Sequence, residues 1–216
     1  MGLGNKYMKY PKSFHLPWSE GYTKDDKRLK NVDHFMGKEI IVTEKLDGEN
    51  FSMYHDHIHA RSIDSANHES RNWVKMFHST FAYRIPVNWR FCGENIYATH
   101  SIHYQELSSY FYLFNIWNEE NFCLSWDETV SWARDLGIET VPVLYRGVFD
   151  EKKVKETYTK RSAFGGEQEG YVVRLAESFH YDDFKFAVGK FVRKGHVQTN
   201  KHWLNQKVIP NQLKKR

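Results

Sequence analysis

A lysine followed closely by an aspartate and a glycine is the first sign of chemistry in this sequence. The string is Lys45-Leu46-Asp47-Gly48, and it follows a β-branched run at residues 39–43 that is typical of a strand. A free lysine amine is protonated at neutral pH and has no lone pair for attack. It becomes a nucleophile where burial or a neighbouring cation lowers its pKa. The string therefore indicates a nucleophilic lysine at a strand end, and a turn with a solvated lysine is the alternative.

Two carboxylates lie beside glycines at the ends of predicted strands. One string is Gly93-Glu94, and the other is Glu169-Gly170, which opens an apolar strand. A glycine at a strand end lets a ligand approach the backbone, and a carboxylate accepts hydrogen bonds from sugar hydroxyls. At Glu169 the arrangement suits a hard cation that keeps part of its water shell. A structural salt bridge at Glu94 and a simple hairpin at Glu169 are the alternatives.

The elements that must position these residues follow from hydrophobic periodicity and turn residues. Strands are predicted at residues 39–43, 51–54, 58–61, 109–117 and 141–147. Helices are predicted over residues 70–83, from the capping box at Ser125 to Gly137, and from Asp150 toward Lys160. The remaining charges on these elements are most simply solvated faces.

Length and composition restrict the class of protein. The chain has 216 residues, 40% hydrophobic and 27% charged, without repeats or low-complexity linkers, which predicts one domain with a sizeable core. A formal net charge of +4 permits a polyanionic partner without demonstrating one. Cys92 and Cys123 lack metal-binding spacing, which fits a reducing compartment. Without a long apolar run or signal peptide, a soluble, cytoplasmic protein with no membrane segment is expected.

Histidines are frequent enough to raise the question of a metal site, since the chain has 12 of them. His55, His57 and His59 alternate along the sequence, which would place all three on one face of a strand. No cysteine or carboxylate set completes a zinc site around them. Solvated or hydrogen-bonded histidines are therefore the favoured interpretation.

Five short strings have the order and spacing of a known enzyme superfamily. They are Glu44-Lys45-Leu46-Asp47-Gly48-Glu49-Asn50, Gly93-Glu94-Asn95, Phe114-Asn115-Ile116, Glu169-Gly170-Tyr171-Val172-Val173-Arg174 and Val188-Gly189-Lys190-Phe191-Val192. Over residues 40–195 the chain resembles the covalent nucleotidyltransferases, which are ATP-dependent DNA and RNA ligases and mRNA capping enzymes. The RNA ligase 2-like branch is the most similar. The resemblance implies an α+β fold, an ATP-grasp-like nucleotidyltransferase domain with antiparallel sheets and flanking helices.

The resemblance also sets an expectation for domain organisation. It implies a single adenylyltransferase domain over residues 1–216, with a short basic tail at about residues 197–216. Because few residues follow the fifth string, no OB-fold domain is expected. The tail mixes basic, amide and aromatic residues. It is either a nucleic-acid contact surface on which Trp203 stacks, or a solvated end with Trp203 in the core.

The resemblance assigns catalytic roles to three residues. Lys45 would attack the α-phosphorus of ATP, Asp47 would orient Lys45 or the strand end, and Lys190 would offset charge on the α-phosphate. Magnesium and the basic group around Lys190 would also lower the lysine pKa. Val192 stands where the usual second lysine of the fifth string would fall, so either Arg193 or Lys194 takes the second role or one basic group suffices.

The resemblance also implies which residues bind the cofactors, ATP and Mg²⁺ or Mn²⁺. The predicted cofactor-binding residues are Glu44, Lys45, Arg61, Glu94, Phe114, Glu169 and Lys190. Glu94 would hold the ribose, Phe114 would stack on the adenine, and Glu169 would hold the metal. Arg61 follows a short strand, where a planar guanidinium suits phosphate, although a surface charge is the alternative.

The expected activity is ATP-dependent RNA ligation through lysyl-AMP and an adenylated 5′ end, for RNA repair. The partner would be RNA with 5′-phosphate and 3′-hydroxyl ends, possibly a nicked duplex, with an end-healing kinase or phosphatase as a further partner. A minimal DNA ligase, a guanylyltransferase and a non-catalytic nucleic-acid-binding module are the alternatives. The natural substrate and the oligomeric state stay open from the sequence.

Overall fold

The computed structural model describes residues 7–196 and 207–215. The strands are β1 Phe14–His15, β2 Glu39–Lys45, β3 Glu49–Met53, β4 Ile58–Ala60, β5 Arg90–Asn95, β6 Phe111–Trp117, β7 Phe122–Cys123, β8 Glu139–Thr140, β9 Val143–Val148, β10 Gly170–Leu175, β11 Phe179–His180 and β12 Val188–Val192. The α-helices are α1 Asn72–Ser79, α2 Trp126–Leu136, α3 Glu151–Glu156 and α4 Phe184–Ala187. Short 3₁₀ turns lie at Asp33–Phe35, Glu69–Arg71, Ala82–Arg84 and Tyr181–Asp183.

The strands form two sheets. The first sheet has the order β1-β12-β10-β2-β9, and the second has the order β11-β7-β6-β5-β3-β4, with β8 paired to β6. Neighbouring strands are antiparallel except in the β1/β12 and β6/β8 pairs. The expected α+β domain with antiparallel sheets and flanking helices is confirmed.

Strand β2 is an inner strand of the first sheet and is buried on both faces. Its β-branched run favours extended backbone. Ile40 packs in a cluster with Val154 of α3, whereas Ile41 packs in another cluster with Tyr112 of the second sheet. Each fully buried side chain of this kind contributes about 1.5–3 kcal/mol. Packing from both sides therefore fixes the strand end that carries Lys45.

The structure confirms the predicted bounds of one helix and shortens another at both ends. In α2 the Ser125 side chain and the Glu128 carboxylate form the expected capping box, and Gly137 ends the helix with φ 67°. The helix predicted over residues 70–83 is confirmed only at residues 72–79, because 3₁₀ turns lie on both sides of it.

The third helix, α3, is shorter than predicted. It ends at Glu156 and does not run toward Lys160. The backbone N–H of Thr159 donates to the Gln168 side chain at 2.9 Å, so the chain leaves the helix to reach the segment before β10. This contact lies outside the reach of a helical i to i+4 hydrogen bond and overrides the local helical pattern.

Each end of the described chain supports the fold. Near the N-terminus β1 pairs with β12 and places His15 in register with Lys190. Near the other end, residues 209–214, here called the C-terminal strap, pack on the loop that follows β5, and Asn211 is buried there. Trp203 lies outside the described residues, so both interpretations of it stay predictions. Within residues 7–196 and 207–215, no helix has the length and apolarity needed to cross a membrane.

Candidate active site

The candidate site lies where the chain crosses from the first sheet to the second. Lys45 is the last residue of β2 and Glu49 is the first of β3, so the turn between them links the two sheets. Gly48 in this turn packs on the end of β5, where an added Cβ would lie 2.6 Å from the carbonyl oxygen of Asn95. A glycine is therefore required, and this close approach brings Lys45 toward Glu94 of β5.

Lys45 is paired with Glu169. Its Nζ donates to Glu169 Oε1 at 2.6 Å, and the two side chains are 25% and 4% exposed. The register of β2 and β10 sets Gly170 directly opposite Lys45. An added Cβ at Gly170 would lie 1.9 Å from the carbonyl oxygen of Phe191, so the neighbouring strand β12 requires glycine there. Two motifs far apart in sequence thus meet through strand pairing.

The pKa of Lys45 is raised, not lowered. Burial favours the neutral amine, but the carboxylates of Glu169, Glu94 and Asp47 outweigh burial and raise the pKa above its ordinary value. The expectation that Lys190 and its neighbours lower this pKa is therefore wrong for the described residues, because the nearest charges are negative. The effect of magnesium on this pKa stays a prediction. The Lys45 proton that must leave before attack has an acceptor at 2.6 Å, Glu169 Oε1.

Asp47 is fixed by the loop that follows β5. Its Oδ2 accepts hydrogen bonds from the backbone N–H groups of Ser101 and Ile102, both at 2.8 Å, and from the Ser101 hydroxyl at 2.7 Å. Its own N–H donates to the Tyr104 hydroxyl at 2.8 Å. Burial opposes the charge, but the Ser101 hydrogen bond and the nearby His196 lower the pKa of Asp47 below its usual value. Asp47 is thus a carboxylate at neutral pH.

Glu94, like Glu169, has a pKa that burial raises. Burial raises the pKa of Glu94 to about 8, with the charges of Glu169 and Asp47 adding to the rise and that of Lys45 opposing it. At neutral pH the group is mainly a neutral acid, which both donates and accepts hydrogen bonds. Such a group suits a hydroxyl-bearing ligand better than a phosphate.

Strand β6 carries the aromatic candidate, Phe114. An added Cβ at Gly93 would lie 2.5 Å from the carbonyl oxygen of Tyr112, so the close approach at this glycine is made by β6. The expectation that Gly93 makes room for a ligand is therefore wrong. Phe114 is the one half-buried residue of β6, and its ring centroid lies 5.3 Å from that of Tyr10, edge to face. Part of the Phe114 ring stays accessible.

Lys190 supplies a cation that forms no ion pair among the described residues. Burial and the positive charge of Lys45 lower the pKa of Lys190 to about 8, and Arg61 acts in the same direction. Arg61 is exposed just beyond β4, close enough to affect Lys190. Three cations from separate strands of the fold, Lys45, Arg61 and Lys190, therefore lie near one region, which suits a polyphosphate.

The Glu44 side chain contacts the loop before β10 and not the Lys45–Glu169 pair. Its Oε2 accepts a hydrogen bond from the backbone N–H of Ala163 at 2.9 Å, and burial raises its pKa. Its Oε1 is buried and has no partner in the described part of the chain. The observed contact anchors the loop before β10, and the ATP-binding role of Glu44 stays a prediction.

Histidine 196 is a site residue that the sequence does not indicate. Gly195 has a left-handed φ of 73° and turns the chain back after β12. His196 Nε2 then lies 3.2 Å from Glu169 Oε1 and 3.7 Å from Asp47 Oδ1, with the side chain 9% exposed. One ligand atom from each of these three residues lies within 4.8 Å of the others.

The structure also locates two other candidates: His59, considered as a metal ligand, and Arg193, considered as the second basic residue of the fifth string. His59 is buried, and its Nδ1 lies 2.6 Å from the carbonyl oxygen of Ala60, so the hydrogen-bonded interpretation is confirmed for it. Arg193 pairs with Glu167 at 2.6 Å, which turns its guanidinium away from the Lys45 pair. Of the residues after β12 that the structure describes, His196 is the one whose side chain contacts the carboxylates.

Comparison with known proteins decides the family. A profile of the RNA ligase family matches residues 38–192, which contain Lys45, Glu94, Glu169 and Lys190. The chain belongs to the RNA ligase family. No curated protein sequence matches it.

Solved structures of a Naegleria gruberi RNA ligase share the fold of this family member. The structure with pyrophosphate has a TM-score of 0.59 and 21% identity, over 88% of this chain and 62% of that one. A variant with ATP and Mn has a TM-score of 0.56 and 18% identity, over 88% and 61%. An apo variant has a TM-score of 0.55 and 18% identity, over 74% and 51%. The chain thus spans between half and two thirds of these relatives.

The residues that sequence reasoning missed in this RNA ligase family member act through distant contacts. Ser101 and Ile102 hold Asp47 from 54 and 55 residues away. Neither residue belongs to a recognisable string, and no hydrophobic period marks their loop. Only the folded chain shows that this loop is part of the site.

Proposed function

We propose that the protein is an ATP-dependent RNA ligase that forms a covalent lysyl-AMP intermediate on Lys45. The observation that carries the proposal is the arrangement around Lys45 Nζ. It has Glu169 at 2.6 Å, the fixed carboxylate of Asp47 nearby, and the cation of Lys190 without an ion pair among the described residues. The similarity to ligase structures with ATP and Mn supports ATP and a divalent cation as the cofactors.

The first step is nucleotidyl transfer to the lysine. Lys45 Nζ attacks the α-phosphorus of ATP, a P–N bond forms, and the bond to the departing pyrophosphate breaks. Glu169 Oε1 is the nearest acceptor for the proton that Nζ loses. Lys190 offsets the charge that builds on the phosphate oxygens. Asp47, held by three hydrogen bonds, keeps the turn beside Lys45 in one geometry.

The nucleoside is bound by the second sheet. Phe114 stacks on the adenine through the exposed part of its ring, and such a contact contributes about 1–3 kcal/mol. The neutral carboxyl of Glu94 exchanges hydrogen bonds with the ribose hydroxyls. Arg61 binds a phosphate of ATP or of the strand end. Glu44 supports the site indirectly, because its carboxylate accepts a hydrogen bond from the loop at Ala163.

The residues present fit a divalent cation. Glu169 Oε2 and His196 Nδ1 are buried and have no hydrogen-bond partner in the described residues. These two atoms are therefore available to a bound ligand or cation. Glu169, with Asp47 and His196 beside it, would hold Mg²⁺ or Mn²⁺. A cation bound there supplies positive charge that stabilises the phosphate oxygens.

The later steps act on RNA. The 5′-phosphate oxygen of one strand displaces Lys45 from AMP and gives a 5′-adenylated end, and a 3′-hydroxyl then displaces AMP to form the phosphodiester. Because the ends must carry a 5′-phosphate and a 3′-hydroxyl, a kinase or phosphatase that heals broken RNA is the expected partner. Residues 1–216 act as one adenylyltransferase domain of the RNA ligase 2-like branch.

Labelling of the protein tests the proposal. The purified chain is incubated with ATP labelled at the α-phosphate and with Mg²⁺ or Mn²⁺, without RNA. We expect an acid-stable label that Lys45→Ala abolishes and that Lys152→Ala, an exposed lysine of α3, keeps. An unlabelled wild type, or a label that survives in Lys45→Ala, contradicts the proposal.

A second assay identifies the substrate. Nicked duplexes with RNA or DNA at the nick, and a triphosphate-ended RNA with GTP, separate RNA ligation from DNA ligation and capping. We expect sealing of the RNA nick. We also expect Lys45→Ala to seal a strand already adenylated at its 5′ end, because the last step does not use the amine. Faster sealing of DNA, or transfer of GMP, would reassign the substrate.

A further inference from the structure

The C-terminal strap lies against the loop that follows β5, at residues 96–107. Asn211 is the buried residue of the strap and is 1% exposed. Its Nδ2 donates to the carbonyl oxygen of Ile96 at 2.8 Å, and its Oδ1 accepts from the backbone N–H of Tyr104 at 2.8 Å. Ile96 and Tyr104 stand on either side of Ser101 in the sequence. One side-chain amide therefore joins the two limbs of the loop.

The backbone of the strap contacts the same two limbs. The N–H of Thr99 donates to the carbonyl oxygen of Ile209 at 2.7 Å, and the N–H of Gln212 donates to the carbonyl oxygen of Tyr104 at 2.9 Å. These bonds set the strap in one register on the loop, so that Asn211 is held between the limbs.

The closed loop in turn holds Asp47. Between the two limbs, Ser101 and Ile102 donate three hydrogen bonds to Asp47 Oδ2 at 2.7–2.8 Å. The N–H of Asp47 donates to the Tyr104 hydroxyl at 2.8 Å. Tyr104 thus contacts Asn211 through its backbone and Asp47 through its side chain. The strap reaches the residue two positions from Lys45 through one intermediate.

The contacts of the strap are polar, and its apolar side chains are left outside. Ile209 and Leu213 are 60% and 45% exposed, whereas Asn211 is buried and bonded at both ends of its amide. A segment that only covered a core would bury its apolar side chains. A buried polar network with its partners in place fixes one geometry, so the strap is built to hold the loop in position.

We propose that Asn211 is a positioning residue for Asp47: it closes the loop that follows β5, and the closed loop fixes the Asp47 carboxylate beside Lys45. The inference rests on the proposed function for the reaction that Asp47 serves. A small displacement of a group near the reacting atoms lowers a rate by about 100-fold in the stronger cases. Loss of Asn211 therefore slows the transfer of AMP to Lys45 without changing the groups assigned to ATP binding.

The kinetics of protein labelling separate positioning from stability. Asn211→Ala is compared with the wild type at a temperature at which both are folded by circular dichroism. We expect the rate constant at saturating ATP to fall by about 10–100-fold, with the same final amount of label and an ATP KM within ~2-fold of the wild type. A variant that had only lost stability would keep the rate constant and lose amplitude.

Two further variants complete this comparison. Gln212→Ala changes an exposed side chain of the strap and should label like the wild type. Thr99→Val removes one hydroxyl donor to Asn211 Oδ1, at 3.0 Å, in a nearly isosteric way. It should slow labelling less than Asn211→Ala, and it carries the test if Asn211→Ala does not fold.

A double-mutant cycle tests whether the effect passes through the loop. Ser101→Ala removes the hydroxyl that donates to Asp47. If Asn211 acts by holding this loop, the double variant should be slowed by clearly less than the product of the two single effects, because coupled residues are not additive. Effects that multiply would show that Asn211 acts independently of the hold on Asp47.

Hydrogen exchange tests the same contacts without any reaction. The amides of Ser101 and Ile102 donate to Asp47. In Asn211→Ala they should exchange about 10-fold faster or more by NMR, while the amides of β2 keep their protection. Unchanged exchange at Ser101 and Ile102 overturns the inference.

The outcomes separate the strap from the proposed function. A wild type without label overturns the ligase proposal, and the exchange at Ser101 and Ile102 then decides the positioning of Asp47 by itself. A labelled wild type together with an unchanged rate constant in Asn211→Ala overturns the positioning role and keeps the ligase. Equal slowing in Asn211→Ala and Gln212→Ala also contradicts a specific role for Asn211.

Discussion

The two sheets carry unlike candidate groups. The first sheet brings Lys45 at the end of β2, Glu169 just before β10 and Lys190 in the middle of β12, and these three lie close to one another. The second sheet brings Glu94, which is mainly a neutral acid at pH 7, and the half-buried ring of Phe114. Under the proposed function, the first sheet would meet the phosphates and the metal, and the second would meet the sugar and the base.

The sheets also differ in what supports them. The first sheet is extended by β1, whose His15 lies in register with Lys190. The loop on the second sheet that holds Asp47 is supported by the C-terminal strap through Asn211. Each half of the cleft thus depends on a different end of the described chain, and the two dependences can be tested separately.

Glutamine replacements give the largest expected contrast between the sheets. Glu169→Gln removes a negative charge from the reacting end and should lower the rate of lysyl-AMP formation by about 10²–10³-fold. Glu94→Gln resembles the neutral acid already present, and the loss at pH 7 should stay below ~10-fold. The initial rate of protein labelling measures both. Equal losses of labelling rate in Glu169→Gln and Glu94→Gln would contradict the proposed difference between the two sheets.

The next contrast uses inhibitors that represent the two ends of ATP. Lys190→Met should weaken ATP and pyrophosphate binding alike, by about 10-fold or more. Phe114→Leu should weaken ATP and adenosine, by about 1–3 kcal/mol, and leave pyrophosphate unchanged. Competition against labelling gives each affinity. A Phe114 variant that loses pyrophosphate affinity would contradict the assignment.

A smaller effect is expected from the strap. The Asn211 side chain accepts from the Tyr104 N–H at 2.8 Å and donates to the Ile96 carbonyl oxygen at 2.8 Å, all in a buried setting. Asn211→Ala leaves these groups unpaired, so the free energy of unfolding should fall by about 2–3 kcal/mol. Urea denaturation measures it. The exposed neighbour Gln212→Ala should change little, and a similar loss in both variants would argue against a specific role for Asn211.

The last prediction concerns the support of the first sheet. Burial, with the charge of Lys190, lowers the pKa of His15 from 6.5 to about 4. The imidazole is therefore neutral when folded, and its contribution to stability is present above pH 6.5 and is lost as the pH falls toward 4. The charged groups that act on it are Lys190, Asp26, Lys45 and Lys12.

Between pH 7 and pH 5 this linkage should lower the free energy of unfolding by about 2 kcal/mol in the wild type. His15→Gln cannot gain the proton and should lose that part of the pH dependence. Urea denaturation at the two pH values gives the comparison. An identical pH dependence in the variant would show that other histidines account for the acid sensitivity.

The sequence predicted the parts of the site that depend on local patterns. A charged residue close to a glycine at a strand end is a local signal: Glu94 and Glu169 are next to a glycine, and Lys45 is three residues before Gly48. The direction of the Lys45 pKa shift was not a local signal, because two of the carboxylates that act on it, Glu169 and Glu94, come from distant segments of the chain. His196 and the Asp47 loop could not be predicted, since their contacts join segments with no pattern in common.

The strap has a consequence for synthesis. Residues 209–214 leave the ribosome after every strand of both sheets, and chains fold from the N-terminal side as they emerge. In a nascent chain, Lys45 is therefore synthesised and β2 can form before Asn211 makes its hydrogen bonds with the loop around Asp47. The loop around Asp47 therefore gains its contacts with Asn211 only when translation has passed the strap.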